Sequence, residues 1–168
     1  MGKELKMQPS LIQMPTAKDV VYTPENLARE IVSFFKPSGV CLDPCSGDGV
    51  FYNLFQDGRE WYEIERGIDF YSWERQVDWI ISNPPYSNLL AWIRHSFKIA
   101  SDIVYLIPNH RISASAQFID DLMDWGGIVH TRFYGTGTQW GFPFGHALSA
   151  VHFRAGYQGS QTWSRFYF

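Results

Sequence analysis

Val40-Cys41-Leu42-Asp43-Pro44-Cys45-Ser46-Gly47-Asp48-Gly49-Val50-Phe51 decides the fold. Three apolar residues close on an acid, a tight turn with two glycines follows, and an apolar pair resumes the chain. An apolar run of that kind is a strand buried on both faces. The turn after it lets backbone N–H groups approach a ligand, because glycine carries no Cβ. In open α/β sheets such turns lie at the carboxyl ends of strands, where ligands bind. The pattern is not a dinucleotide GxGxxG, since only Gly47 and Gly49 are present. It is not a phosphate loop either, because no Gly-Lys-Ser/Thr follows. Asp43 would repel a phosphate and attract a cationic group such as an ammonium or a sulfonium.

Working outward, the spacing of Leu27, Ile31, Val32 and Phe35 predicts a helix from Pro24, capped by Thr23 and ended by Pro37 and Gly39. Val50–Phe55 reads as the start of a short helix and Glu60–Ile64 as a second strand. Val77–Ser82 is a strong strand, Leu89–Ile99 a helix, Ile103–Ile107 an apolar strand and Ser113–Trp125 a helix. Ile128–Tyr134 and Ala147–Phe153 read as strands joined by a loop rich in glycine and aromatics. The sum is an α/β chain with a mostly parallel sheet and an antiparallel hairpin at one edge. Residues 1–21 read as an arm and 22–168 as a single domain, with no repeat and no separate recognition region. Helix signal is poor over Gln56–Arg75.

The second chemical element is Asn83-Pro84-Pro85-Tyr86, directly after Val77–Ser82. Each proline pushes its predecessor out of the α region, so this backbone is stiff and extended. Prolines donate no hydrogen bond, so the segment offers carbonyl acceptors, an Asn83 amide and a flat Tyr86 ring. Together these suit a planar NH2 group.

With both elements in this order, the chain resembles the Rossmann-like S-adenosylmethionine-dependent methyltransferases, specifically those acting on N6 of adenine in DNA, as in restriction–modification. YTPENLA (22–28), DPCSGDGVF (43–51), GIDFYSW (67–73), ISNPPYS (81–87) and DIVYLIP (102–108) carry the resemblance. It implies a compact version of that fold, with S-adenosylmethionine held by Tyr22, Thr23, Pro24, Asp43, Cys45, Gly47, Gly49 and Asn83. Glu63, in preference to Glu65, would take the ribose hydroxyls; Asp69 and Phe70 would take the cofactor's adenine. Asn83 and Pro84 would accept the two hydrogens of the target amine, with Pro85 setting the angle and Tyr86 stacking on the base. Ser87, Arg111, Trp140 and Phe142 are candidate substrate contacts, and His110 and Arg132 candidate phosphate contacts. Glutamine and some RNA methyltransferases are similar at NPPY, and an idle subunit would keep the fold; the Asp43-Pro44 pair favours adenine.

Composition narrows the partners. The 168 residues carry a formal net charge of −3, which argues against autonomous grip on a phosphate backbone. Affinity would then come from a local basic patch or from a partner, and the aromatic tail Trp163–Phe168 is the candidate surface for a partner subunit, or a homodimer seam. Aromatic residues make up 17% of the chain, a surplus that serves cores, stacking sites or interfaces. Cys41 and Cys45 match no zinc spacing and read as reduced small hydrophobes, and no metal is implied. No signal peptide, myristoylation pattern or membrane-length apolar run is present, so the expected setting is cytoplasmic.

Overall fold

The computed structural model describes residues 21–56, 59–61 and 69–168. The expected arm over 1–21 lies, except for Val21, outside these residues, as does the Glu63 assignment. Helix α1 (Glu25–Phe35) opens the described chain, followed by β1 (Cys41–Asp43), β2 (Arg59–Trp61) and β3 (Val77–Ser82). Then come α2 (Leu89–Ser96), β4 (Ala100–Pro108), α3 (Ala116–Trp125), β5 (Gly126–Thr136), β6 (Ala147–Ala155) and β7 (Thr162–Arg165). The strands form one sheet in the order β2-β1-β3-β4-β6-β5-β7. β2, β1, β3 and β4 are parallel, β6 is antiparallel to both β4 and β5, and β7 runs parallel to β5. Of the seven described strands, β6 alone is reversed.

Two apolar layers cover the sheet. On one face α2 and α3 bring Leu89, Trp92, Ile93, Phe118 and Leu122 onto Leu42, Ile80 and Ile103. On the other, Leu27, Ala28 and Ile31 of α1 join Phe51, Tyr134, Trp140 and Phe142 over Ile81, Val104 and Leu106. The three central strands therefore read as continuous apolar runs, as a sheet covered on both faces requires. Two buried tyrosine hydroxyls in these layers are paired: Tyr105 Oη lies 2.7 Å from Ser96 Oγ, and the Tyr134 hydroxyl donates to Glu30.

Several expectations need correction. The hairpin exists, but it is not the edge: the tail returns as β7 and pairs with β5. His130 holds it there, with one ring nitrogen 2.6 Å from Thr162 Oγ1 and the other 2.7 Å from Ser164 Oγ. Phe166 packs on Tyr134 and Trp140, so part of the aromatic tail belongs to the fold; Trp163, Tyr167 and Phe168 stay exposed. Thr23 does not cap α1. Pro24 occupies that position, its carbonyl accepting from Leu27 N–H at 3.1 Å and Ala28 N–H at 3.0 Å. The turn after the glycines is a single 3-10 turn, Tyr52–Leu54. Among the described residues no helix is long and apolar enough to cross a membrane.

Candidate active site

The order of strands reverses between β1 and β3, and their carboxyl ends carry the two elements singled out in the sequence. Asp43 ends β1 fully buried. Ser82, the last residue of β3, donates its hydroxyl to Asp43 Oδ1 at 2.7 Å, and the Cys45 N–H approaches the same oxygen at 3.4 Å. A buried carboxylate needs such donors to stay charged. Ser82 thus ties the acid of one strand to the end of its neighbour. The sequence held a weak sign of this, a small hydroxyl residue ending an apolar strand.

The glycine turn follows. Gly47 and Gly49 have φ values of 48° and 77°, both in the left-handed region that an L side chain avoids. The Gly49 N–H closes the turn on the Ser46 carbonyl at 2.6 Å. Tyr22 lies over Gly47 so closely that an added Cβ would stand 3.0 Å from two of its ring carbons. The chain before α1 therefore walls the glycine turn with an aromatic ring that is itself 51% exposed. Thr23 is buried, and Cys45 is half-buried beside Asp43.

The same segment crosses to the second element. Asn83 Nδ2 donates to the Val21 carbonyl at 3.1 Å, which fixes the amide with its oxygen on the other side. That oxygen, Oδ1, is buried and has no hydrogen-bond partner among the described residues. An unsatisfied buried acceptor costs about 1–3 kcal/mol, and native structures keep one where it has a task. Pro84 and Pro85 are buried, and Pro85 is extended with φ −65° and ψ 123°. Tyr86 opens a 3-10 turn, Tyr86–Asn88, and its carbonyl accepts from the Arg111 guanidinium at 2.5 Å. Its hydroxyl is a second buried group without a partner among the described residues, and burial pushes its pKa well above that of an ordinary phenol, so it stays neutral. Ser87 is exposed beside it.

Other candidates fall differently. Asp69 caps a 3-10 turn, Phe70–Ser72, and its carboxylate accepts from Tyr71 N–H at 3.0 Å. Phe70, expected on the cofactor's adenine, lies in the core at 2% exposure, with Trp92 at 4.5 Å and His95 at 4.7 Å between ring centroids. The half-buried ring next to Asp69 is Tyr71. It accepts from Asn88 Nδ2 at 3.0 Å, and burial, with the nearby Asp69 charge, raises its pKa to about 12. Trp140 and Phe142, expected over the target base, are buried at 8% and 4%. A 3-10 turn, Gly137–Trp140, rolls the indole inward, and its N–H donates to the Tyr134 carbonyl at 2.7 Å. The ring of that loop that meets Tyr86 is Phe144, at 5.9 Å and an interplanar angle of 68°. Arg132, a candidate phosphate contact, is engaged within the fold. Its guanidinium donates to Glu30 at 2.7 Å and lies 4.0 Å over the Phe34 ring.

No protein-family model and no curated protein sequence matches the chain. Solved structures do. A protein described as a modification subunit of a type I restriction enzyme from Vibrio vulnificus aligns with 90% of this chain and 48% of its own, at a TM-score of 0.64 and 13% identity. A type I restriction–modification methyltransferase subunit from Streptococcus thermophilus aligns with 89% of this chain and 48% of its own, at a TM-score of 0.60 and 11% identity. A protein described as an RNA methyltransferase from Pyrococcus horikoshii aligns over 86% of this chain and 91% of its own, at a TM-score of 0.55 and 13% identity. The chain spans about half the length of the two restriction–modification subunits. Its architecture is the S-adenosylmethionine-dependent methyltransferase fold, with a mixed, mostly parallel sheet.

Proposed function

We propose that this chain transfers the methyl group of S-adenosylmethionine to the exocyclic N6 amine of adenine in a nucleic acid, DNA before RNA. The observation that carries this reading is Asn83. Its N–H side is spent on Val21 and its buried oxygen has no partner among the described residues, next in sequence to the Pro84 carbonyl. A planar NH2 group has two hydrogens, and these two acceptors match it.

The glycine turn fits the cofactor. A cradle that a Cβ would fill, an aromatic wall and a buried, hydrogen-bonded carboxylate suit the cationic amino-acid portion of the molecule. When bound, S-adenosylmethionine supplies an electrophilic methyl on a sulfonium. The chain's own residues prepare the nucleophile. The amine's lone pair is delocalised into the purine ring, and acceptance of both hydrogens returns it to nitrogen. As positive charge grows on that nitrogen, the bonds to Asn83 Oδ1 and the Pro84 carbonyl strengthen, so they favour the transition state over the ground state. Once methylated, the amine would carry one extra proton, which would pass to water. Pro85 fixes the angle of the acceptors, and Arg111 holds the turn behind them through the Tyr86 carbonyl.

A protein glutamine also presents an NH2 group, but Tyr86 and Phe144, packed edge to face at 5.9 Å, offer aromatic surface beside Asn83 that favours a flat base. An adenine in a duplex would have to leave the stack to reach that surface. Trp163 in β7 and Tyr167 just after it, both exposed, are the surface on which we place a partner subunit or a second copy. The test offers methyl-labelled S-adenosylmethionine with duplex DNA, single-stranded DNA, structured RNA and protein extract. Label recovered as N6-methyladenine is expected; label recovered on glutamine would overturn the reading.

A further inference from the structure

The carboxyl edge of the sheet carries more aromatic surface than one base needs. From Tyr86, ring centroids step 5.9 Å to Phe144, 5.3 Å to His146 and 6.0 Å to His110. Phe144 and His146 are nearly parallel, at 24°. Buried Phe142 stacks behind Phe144 at 5.2 Å and 19°, which stiffens the row from the core side. His110 and His146 are exposed, and Phe144 is half-buried. Three separate connections build this row: the one after β3, the one after β4, and the β5–β6 loop. All lie at the end of the sheet that holds Asn83. Asn109, next to His110, adds a buried side-chain oxygen without a hydrogen-bond partner among the described residues.

We infer that this row is a path for an unpaired polynucleotide strand, with the target adenine at Tyr86 and its neighbouring bases on Phe144, His146 and His110. The inference rests on the adenine reading of the Asn83 site. The ring steps are wider than the roughly 3.4 Å rise of a stacked duplex strand, so they suit bases that have left the stack. The edge is also poor in cations. Among the described residues of the connections after β3 and β4 and of the β5–β6 loop, Arg111 is the one arginine or lysine, and its guanidinium is engaged by the Tyr86 carbonyl. Duplex affinity depends mainly on neutralised phosphates, whereas rings bind unpaired bases of any sequence through their faces. A chain of net charge −3 with a row of rings at its site is built for the second mode.

The experiment measures fluorescence anisotropy of the full chain with one short adenine-containing sequence, labelled as single-stranded DNA, single-stranded RNA and duplex DNA. The unpaired strand should bind about tenfold more tightly than the duplex, with a shallow salt dependence, and the two single-stranded arms identify the sugar. The double variant His110→Ala with His146→Ala should lose about tenfold in affinity for the strand. His146→Phe, which keeps a ring, should retain it. In turnover, the double variant should raise KM for the oligonucleotide and leave kcat unchanged. Tighter duplex binding, or a double variant that binds like the parent protein, would overturn the path. If N6-methyladenine forms and the double variant is indifferent, the path falls and the adenine site stands. If neither oligonucleotide binding nor N6-methyladenine appears in a protein that binds cofactor, the adenine reading falls and takes the path with it.

Discussion

Gly47→Ala and Gly49→Ala form a matched pair that separates the cofactor cradle from mere backbone strain. Both glycines sit at positive φ, 48° and 77°, where an L residue costs about 1–2 kcal/mol. Both variants should therefore melt roughly 2–8 °C lower, at about 2–4 °C per kcal/mol for a chain of this size. Their surroundings differ. The new Cβ at position 47 would stand 3.0 Å from two ring carbons of Tyr22, and a rigid ring can relieve that only by moving as a body. Tyr22 is 51% exposed, so it can swing away at little cost to the core. That movement opens the wall of the cradle. At position 49 the nearest atom is the Asn53 amide nitrogen at 3.3 Å, the far end of a flexible side chain. Calorimetric titration with S-adenosylmethionine should show Gly47→Ala binding about tenfold more weakly, about 1.4 kcal/mol, and Gly49→Ala within about twofold of the parent. Equal affinities at equal stabilities would refute the role given to Tyr22.

Two further outcomes concern the scaffold. Tyr134→Phe removes the buried hydroxyl that donates to Glu30 but leaves Glu30 its ion pair with Arg132; a hydrogen bond to a charged group contributes about 1.5–3 kcal/mol, so thermal denaturation should fall by roughly 3–12 °C. An unchanged melting temperature would show that Glu30 is satisfied without it. The second outcome is acid sensitivity. Burial, then the charges of Arg132 and His152, hold His130 below the ordinary histidine pKa of 6.5; burial does the same to His95, opposed by its bond to the Trp73 carbonyl and aided by Lys98. Both rings take up a proton less readily folded than unfolded, so stability should be flat above pH 6.5 and fall as pH drops below it. Melting curves across that range should show the decline, and His130→Asn should flatten part of it; a melting temperature that rises on acidification would contradict the sign.

The elements whose signals are local were legible. Val40–Leu42 and Val77–Ser82 are apolar runs closed by turn residues, and the structure makes them neighbouring strands, with Asp43 and Asn83 at one end. Long-range partners were not legible. Ser82, a small hydroxyl residue ending an apolar strand, is only a weak sign of its hydrogen bond to Asp43, and nothing in Arg132 announces an ion pair with Glu30, some hundred residues earlier. Thr162–Arg165 is short, polar and without clear alternation, and it becomes a strand because β5 offers a free edge and His130 binds two of its hydroxyls. Neighbouring aromatics were the hardest to sort. Phe70 versus Tyr71, and Trp140 and Phe142 versus Phe144, differ by where a short 3-10 turn or loop rotates them, and composition carries no sign of that rotation.

The most direct measurement compares the parent protein with Asn83→Ala, both saturated with methyl-labelled S-adenosylmethionine and an adenine-containing strand, and counts N6-methyladenine after digestion to nucleosides. Loss of a preorganised polar group at a reacting centre costs about 100- to 1,000-fold in rate. The expected result is that loss in the variant at saturating cofactor, with a melting temperature close to the parent's. Equal N6-methyladenine from both proteins would contradict the account.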